Sequence, residues 1–231
     1  MGRVRHNNED ALVDSAQFGL FGVCDGLGGH AGGEVASAIA SRTILEEMKK
    51  ARGPASQVLR ECLELANRRI LKQQTENPQL RGMGTTVSVV WISGELEEVW
   101  VLHLGDSRIY QLHEGSISQV TNDHSPVFKL YQQGELTKDQ IRQHPQKNLL
   151  ERSLGITSAI EPDIFPLEVV AGDRLLVCTD GLSDALLDSE IEGLLQDYSL
   201  EQAGMELVAE ANRRGGLDNI TIAQVQIVEA P

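Results

Sequence analysis

Apolar positions in the first third of the chain change from a strand-like to a helical pattern. Residues 11–23 form a strand-like apolar run that is broken by turn-forming residues 14–15 and by Gly19. A loop with five glycines, residues 26–33, precedes a helical stretch over residues 34–51. A second amphipathic helix is predicted by apolar residues spaced four, three and four apart: Leu59, Leu63, Ala66 and Ile70.

The middle of the chain alternates apolar and polar residues with a period of two. This pattern predicts an antiparallel meander with four strands, at residues 85–92, 99–104, 108–112 and 117–120. Residues 123–148 are instead polar, rich in glutamine and weakly periodic. Thr137 and Gln140 have the spacing of a capping box, which predicts one short helix in this segment. We interpret it as an excursion on the surface of the sheet.

The last quarter combines two strands with two helices. The strands are predicted at residues 174–178 and 219–228, and the helices at 190–195 and 200–213, with Ser199 and Gln202 as a capping box for the second helix. In the last strand the alternation slips near Ala223, which suggests a β-bulge. Helix pairs that alternate with runs of antiparallel strands are typical of an α+β layered domain. No repeat or linker interrupts residues 1–231, so we predict a single domain.

Composition narrows the class of protein. The 231 residues are 41% hydrophobic but only 4% aromatic, so a large aliphatic core is expected. The net charge of −14 argues against nucleic-acid and anionic-membrane partners, because no basic stripe is present. The three cysteines show no metal-binding spacing and read as reduced thiols. No long apolar stretch or N-terminal leader pattern is visible, so we predict a cytoplasmic protein.

Four aspartates lie where an apolar strand begins or ends: Asp25, Asp106, Asp180 and Asp218. If the strands bring them together, each charge pair costs roughly 4 kcal/mol at about 4 Å and an effective dielectric near 20. Such a cluster implies bound cations, and oxygen ligands favour Mg²⁺ or Mn²⁺ over zinc. A single Asp-Gly pair is usually a β-turn. Its recurrence after two similar apolar strands favours a shared metal site.

The glycine-rich loop and Arg5 can both be interpreted in relation to such a metal site. The glycine-rich loop lacks the Lys-Ser/Thr of a P-loop and the GxGxxG spacing, so we interpret it as a tight turn beside the acids rather than a nucleotide cradle. Arg5 stands near the terminus, where an arginine is ordinarily solvated. Next to divalent metals, however, a planar guanidinium is the expected partner of a phosphate.

Eight motifs now occur in a fixed order between residues 2 and 222. They are Arg5-x-x-Asn8-Glu9-Asp10, Asp25-Gly26 with the glycine-rich loop, Gly84-Thr85-Thr86, Gly105-Asp106-Ser107-Arg108, Asp123-His124, Ser153-Leu154-Gly155, Asp180-Gly181-Leu182 and Asp218-Asn219. Together they resemble the bacterial metal-dependent protein Ser/Thr phosphatases of the type-2C class. The resemblance implies a central β-sandwich of two mostly antiparallel sheets, flanked by pairs of α-helices in four layers. It also makes residues 123–148 a flap beside the active site.

The resemblance assigns a role to each site residue. Asp25 would bridge two ions, the Gly26 carbonyl would bind one of them, and Asp180 with Asp218 would complete the other. Asp106, together with Asp180, would hold a third, weaker ion. Three more positions follow from the motifs: Glu9 and Asp10 as ligands through water, and Arg5 as the phosphate-binding residue.

The general acid is less directly assigned. His30 takes this role if the glycine-rich loop is aligned with a small insertion, whereas the ungapped alignment places Leu27 there. His124 is interpreted as a structural residue beside the flap. Relatives usually carry a strand ahead of the glycine matched by Gly2, so either the sequence is short at this end or the sheet lacks an edge strand.

The function implied is hydrolysis of phosphoserine and phosphothreonine in proteins by a water or hydroxide bridging two divalent metals. The expected cofactors are two or three Mg²⁺ or Mn²⁺ ions, the partners are phosphorylated proteins, and the expected state is a monomer. Two alternatives stay open. One is a catalytically silent regulatory or binding module on the same fold, and the other is a hydrolase of a different phosphomonoester.

Overall fold

Two antiparallel sheets form the centre of the molecule in the computed structural model, which describes residues 2–28, 32–94 and 98–229. The first sheet contains β1 (Asp10–Ser15), β2 (Leu20–Leu27), β3 (Gly84–Thr85), β4 (Val87–Ser93), β5 (Glu98–Leu104) and β8 (Asp163–Leu167). The second contains β6 (Arg108–His113), β7 (Ser116–Gln119), β9 (Arg174–Cys178) and β10 (Ile222–Gln226). The strand orders are β1-β2-β4-β5-β8, with β3 paired to β2, and β10-β9-β6-β7.

The described residues also form seven α-helices. They are α1 (Gly32–Met48), α2 (Ala55–Glu76), α3 (Pro126–Gln132), α4 (Lys138–Gln143), α5 (Asp180–Ser183), α6 (Asp188–Asp197) and α7 (Leu200–Arg213). The first two helices pack on the first sheet, and the last three pack on the second. The four-layer α+β architecture expected from the sequence is therefore confirmed.

Three apolar clusters correspond to the three interfaces between these layers. Ile44, Leu63 and Ile70 join the first helix pair to the first sheet. Val101 and Val177 belong to the cluster between the sheets, where branched side chains pack on the pleated surfaces. The third cluster lies under α5, α6 and α7. Because both faces of each sheet are covered, the acids of the site lie near the ends of strands, in turns and at the start of a short helix.

Helix starts follow local capping chemistry. The Thr137 side chain accepts a hydrogen bond from the Gln140 N–H, and the Gln140 side chain accepts one from the Thr137 N–H, so the predicted capping box opens α4. At α7 only half of the predicted box forms. Ser199 accepts from the Gln202 N–H, but its hydroxyl also donates to the Gln202 side chain, which leaves that side chain turned away from the Ser199 backbone.

The structure corrects the prediction of a bulge near Ala223. The pairing of β10 with β9 runs without interruption from Ile222 to Gln226. Ile220 and Ile222 face the helices, whereas Ala223 and Val225 face the other sheet. The apparent slip arises because both faces of this strand are covered by apolar groups.

Three elements of the described structure, β8, α3 and the four-residue helix α5, were not predicted from the sequence. β8 (Asp163–Leu167) is a short strand at the edge of the first sheet and contains Pro166, which an edge strand tolerates because one side needs no N–H donor. The helix α3 lies in the segment 123–148, where Val127 and Phe128 pack with Ile141 in a small cluster of their own. Among the described residues, no helix combines the length and the hydropathy needed to cross a bilayer.

Candidate metal centre

The aspartates singled out in the sequence converge on one cavity of about 370 Å³. Asp25 lies within β2, and Asp106 lies in the turn between β5 and β6. Asp180 is the first residue of α5, and Asp218 precedes β10. The wall is completed by Arg5, Glu9, Gly26, Leu27, Gly28, Thr86, Asn148, Leu150 and Asn219. Residues from both sheets and from both ends of the chain thus share one site.

The backbone of Asp25 is held by Thr85 and Thr86. Its N–H donates to Thr86 Oγ1 at 3.0 Å, and its carbonyl accepts from the Thr86 N–H and from Thr85 Oγ1, both at 2.9 Å. In the β1–β2 ladder, Asp10 lies directly opposite Asp25. The strand register therefore places two carboxyl groups side by side.

Gly26 permits a close approach of three segments. A Cβ at this position would lie 2.2 Å from the Gly33 carbonyl oxygen and 2.4 Å from that of Glu9. The Gly26 N–H donates to the same Glu9 oxygen at 3.1 Å. No larger residue fits without moving the backbone, so the Asp-Gly pair serves packing at the site and not merely a turn.

The N-terminal residues are tied to the segment before β10. The Arg3 N–H donates to the Gly216 carbonyl at 2.8 Å, and the Glu9 N–H donates to Asn219 Oδ1 at 2.8 Å. Arg5 Nη2 donates to Asp218 Oδ2 at 2.7 Å, with 48% of the Arg5 side chain exposed. The contact with Asp218 raises the pKa of Arg5, which stays cationic. A fixed positive charge thus stands at the rim of an acidic cavity.

Burial and mutual repulsion raise the pKa values of the clustered acids. The pKa of Asp25 is raised well above its usual range, first by burial and then by the charges of Asp180 and Asp10. Burial, followed by the charge of Asp180, does the same to the pKa of Asp106. Burial, together with the charge of Asp184, raises the pKa of Asp180 to about 7. Burial is also the largest cause of the raised pKa values of Glu9 and Asp10. Such a set favours either protons or cations among its oxygens.

Asp10 supplies the observation that tests whether these residues fit a metal. Its Oδ2 accepts from Thr179 Oγ1 at 3.0 Å, but its buried Oδ1 has no hydrogen-bond partner among the described residues. Buried carboxylate oxygens are ordinarily paired or bound to a cation. Asp25 contacts both Asp10 and Asp180, yet within the described ranges no three acidic, histidine or cysteine groups form a complete metal-binding cluster. The all-oxygen donor set fits Mg²⁺ or Mn²⁺.

A second layer of contacts supports the turn that carries Asp106. Arg108 forms a buried fork with Asp123, in which Nε lies 2.9 Å from Oδ1 and Nη2 lies 2.7 Å from Oδ2. The Gly105 N–H donates to His124 Nδ1 at 3.1 Å, and the His124 N–H donates to the Gly105 carbonyl at 2.7 Å. These contacts join the turn to the start of the segment 123–148 and agree with the structural role expected for His124.

One predicted residue lies outside the described part of the chain, and the cavity wall includes residues that were not predicted. His30 lies outside the described residues, so its role stays a prediction. Leu27, its alternative, lines the cavity and carries no proton to donate. Thr86 and Asn219, which also line the cavity, belong to the sequence motifs but had no predicted role. Asn148 and Leu150 come from a segment whose composition carried no signal for the site.

Comparison with known proteins gives the family. The sequence profile described as Protein phosphatase 2C matches residues 3–217. The chain is 36% identical over 230 residues to the serine/threonine protein phosphatase PstP of Mycobacterium tuberculosis, covering 99% of this chain and 44% of PstP. It is 34% identical over 234 residues to the serine/threonine phosphatase stp of Listeria welshimeri, covering 97% and 92%. The chain belongs to the protein phosphatase 2C family.

Solved structures of family members superpose over nearly the whole chain. The crystal structure of PstP from Mycobacterium tuberculosis gives a TM-score of 0.91 at 35% identity, covering 99% of this chain and 95% of the other. The catalytic domain of PstP in complex with two manganese ions gives 0.89 at 34% identity, with the same coverage. This protein phosphatase 2C chain thus spans less than half the length of the mycobacterial PstP sequence, but most of the Listeria sequence.

Proposed function

We propose that this chain is a metal-dependent hydrolase of phosphoserine and phosphothreonine in proteins. One observation carries the proposal: Asp25, Asp180, Asp218 and Arg5 line a single cavity in a chain of the protein phosphatase 2C family. The acids offer oxygen ligands for cations, and the arginine offers a planar donor for a phosphate. A cysteine or serine nucleophile is not required by this arrangement.

Each acid has a proposed place in holding two Mg²⁺ or Mn²⁺ ions. Asp25, the Gly26 carbonyl, Asp180 and Asp218 would hold two ions, and Asp106 with Asp180 would hold a third. Glu9 and Asp10 would bind through water. When bound, a pair of divalent ions supplies Lewis-acid chemistry, which acidifies an attacking water and neutralises charge on the phosphate.

Arg5 binds and orients the phosphate. Its contact with Asp218 occupies one of its donors and leaves others for phosphate oxygens at the cavity rim. Because the guanidinium is already positioned, it stabilises charge on the equatorial oxygens without reorganisation as the phosphate reacts. The departing serine or threonine oxygen needs a proton, and we assign this role to His30.

The proposed partners are phosphorylated proteins, and the proposed state is a cytoplasmic monomer. Cys24, Cys62 and Cys178 are free and buried, which agrees with the thiols expected from the sequence. The chain carries a net charge of −14, so long-range electrostatic attraction is not expected to recruit acidic substrates.

The proposal is tested with p-nitrophenyl phosphate and a phosphothreonine peptide, each with MnCl₂ and with EDTA. We expect activity on both substrates with Mn²⁺ only, and loss of activity in Asp25→Ala and Asp180→Ala. Asp14→Ala is the matched control, since Asp14 is an exposed acid on β1. Full activity in the Asp25 or Asp180 variants, or an inactive wild type that nevertheless binds Mn²⁺, rejects the proposal. The latter result points to the silent binding module.

Substrate class is separated by competition. If small phosphomonoesters outcompete phosphopeptides at equal concentration, the chain acts on another class of phosphoester. We expect the phosphopeptide to win, because a protein substrate can also contact the walls formed by Leu27, Asn148 and Leu150.

A further inference from the structure

Arg142 of α4 holds the end of the helix that carries Asp180. Its Nη2 donates to the carbonyl oxygen of Ser183 at 2.8 Å and, in a shorter contact, to that of Leu186. Its Nη1 lies 3.5 Å from the Asp184 carbonyl oxygen. One guanidinium from the segment 123–148 thus gathers the carbonyls at the C-terminal end of α5.

These carbonyls need an outside donor. The helix α5 spans only Asp180–Ser183, so it is too short to pair its own last carbonyl groups. The next carbonyl, that of Ala185, accepts from Arg214 at 3.1 Å. Without arginine donors, this turn would expose unpaired acceptors beside buried apolar groups.

The opposite side of α5 is fixed by packing. Leu182 and Leu186 are fully buried in the cluster under α6 and α7. Gly181 lies so close to the segment after Asp218 that a Cβ would stand 1.9 Å from the Asn219 carbonyl oxygen. Packing thus fixes the apolar side of α5, and Arg142 holds the carbonyl groups at its C-terminal end.

The same segment reaches the cavity. Asn148, the last residue of the segment, and Leu150, two residues beyond it, line the cavity wall. Arg142 itself is absent from that wall. It therefore stands between the cavity-lining part of the segment and the helix that begins with Asp180.

We propose that Arg142 is a positioning residue that couples the segment 123–148 to the metal centre by fixing α5 and hence Asp180. The inference rests on the proposed function, because it concerns metal binding at that site. Two ion pairs also join these regions, Lys138 with Asp188 and Lys147 with Asp184. They link partly exposed charged side chains that salt screens, whereas Arg142 binds the backbone itself.

The test compares Arg142→Gln with Arg174→Gln. Arg174 makes the same type of contact at the end of α6, where its Nη1 donates to the Leu195 and Tyr198 carbonyls at 2.6 and 2.8 Å. Titration calorimetry with MnCl₂ should show a Kd about tenfold higher in Arg142→Gln, at the lower end of the effect of residues that orient metal ligands. Arg174→Gln should keep the wild-type Kd, although both variants lower the Tm in EDTA. Saturating Mn²⁺ should restore kcat in Arg142→Gln.

An unchanged Mn²⁺ affinity in Arg142→Gln, with a wild type that binds the ion and turns over substrate, overturns the inference. A wild type that does neither refutes the proposed function instead. If Arg142→Gln does not fold, Arg142→Lys is compared with Arg174→Lys. Lysine keeps the charge but not the fork, so an intermediate Kd is expected, and a wild-type Kd contradicts the coupling.

Discussion

The two sheets hold the acids of the candidate metal site in different ways. On the first sheet, Asp25 lies inside β2 opposite Asp10, and its backbone N–H and carbonyl are hydrogen-bonded to Thr86 and Thr85. On the second, Asp180 begins a four-residue helix whose far end is held by Arg142 from the segment 123–148. One ligand is set by the sheet itself. The other depends on how a peripheral segment packs.

Because of this difference, we expect one part of the site to be rigid and the other to be adjustable. A carboxylate set by a ladder keeps its position whatever the segment 123–148 does, because strand pairing alone defines it. A carboxylate on a short helix moves when the helix moves, and the position of α5 depends on the contacts of Arg142 with its carbonyl groups. We expect changes in the segment to reach the metal centre through Asp180 and not through Asp25.

The largest expected effect is the loss of catalytic activity when Asp25 or Asp180 is replaced by asparagine. Asp25→Asn should lower kcat/KM with Mn²⁺ by about 10³-fold or more, because several kcal/mol of metal stabilisation are lost for both ions. Asp180→Asn should lose less, and high Mn²⁺ should restore part of its rate. Steady-state assays over a range of MnCl₂ concentrations measure both. If kcat/KM falls equally in both variants and no Mn²⁺ concentration restores it, the proposed difference between Asp25 and Asp180 is wrong.

A smaller loss is expected from Arg5→Lys. Lysine keeps the charge near Asp218 but not the bidentate geometry, so kcat/KM should fall by about tenfold. Arg5 is half-exposed, and the Tm should therefore change little. Rate and thermal-melt measurements on the same preparation check both statements. A wild-type rate with a lowered Tm would mean that Arg5 only anchors the terminus.

The two Asp-Gly pairs allow a comparison of stability. A Cβ on Gly26 meets backbone oxygens of two segments, at Glu9 and Gly33, whereas the nearest atoms to one on Gly181 belong to Asn219 and Ile220. Overpacking of this kind costs about 1–3 kcal/mol, and we expect Gly26→Ala to unfold at the lower denaturant concentration. Gly193→Ala is the control, since no atom lies within 4 Å of its Cβ, and it should stabilise α6. If Gly181→Ala instead unfolds at the lower denaturant concentration, the more rigid part of the site lies on the second sheet.

The smallest expected effect is a pH dependence of the metal-free protein. Asp180 has its pKa raised to about 7, so the folded state keeps a proton that the unfolded chain releases near the ordinary value. This contribution to stability is present at low pH and is lost as the pH rises through 7. In EDTA, the fall in Tm from pH 5 to pH 8 should be shallower in Asp180→Asn than in wild type. Parallel curves would show that this carboxyl is not proton-stabilised.

Strand ends and helix faces were readable from the sequence because their causes are local. The strand at Arg174–Cys178 and the helix at Leu200–Arg213 have the bounds that periodicity predicts. The aspartates at strand ends were recognised for the same reason, since an apolar run followed by a carboxylate is visible without the fold. β8 was missed because a short edge strand with a proline carries a weak pattern.

Contacts between distant segments were not readable. Nothing in the sequence near Arg142 indicates that it binds carbonyls more than forty residues away in α5. Likewise, the neighbours of Asp10 and the cavity position of Asn148 depend on how the segments pack. The sequence therefore identifies the groups that can bind metal, and the structure supplies the parts that position them.

The central claim is that acids from both sheets hold a pair of divalent ions. The most direct measurement is anomalous diffraction at the manganese edge from crystals grown with MnCl₂. The account predicts at least two peaks in the cavity, with Asp25 contacting both ions and with Asp180 and Asp218 contacting one of them. Peaks elsewhere on the surface, with none touching Asp25, would contradict it.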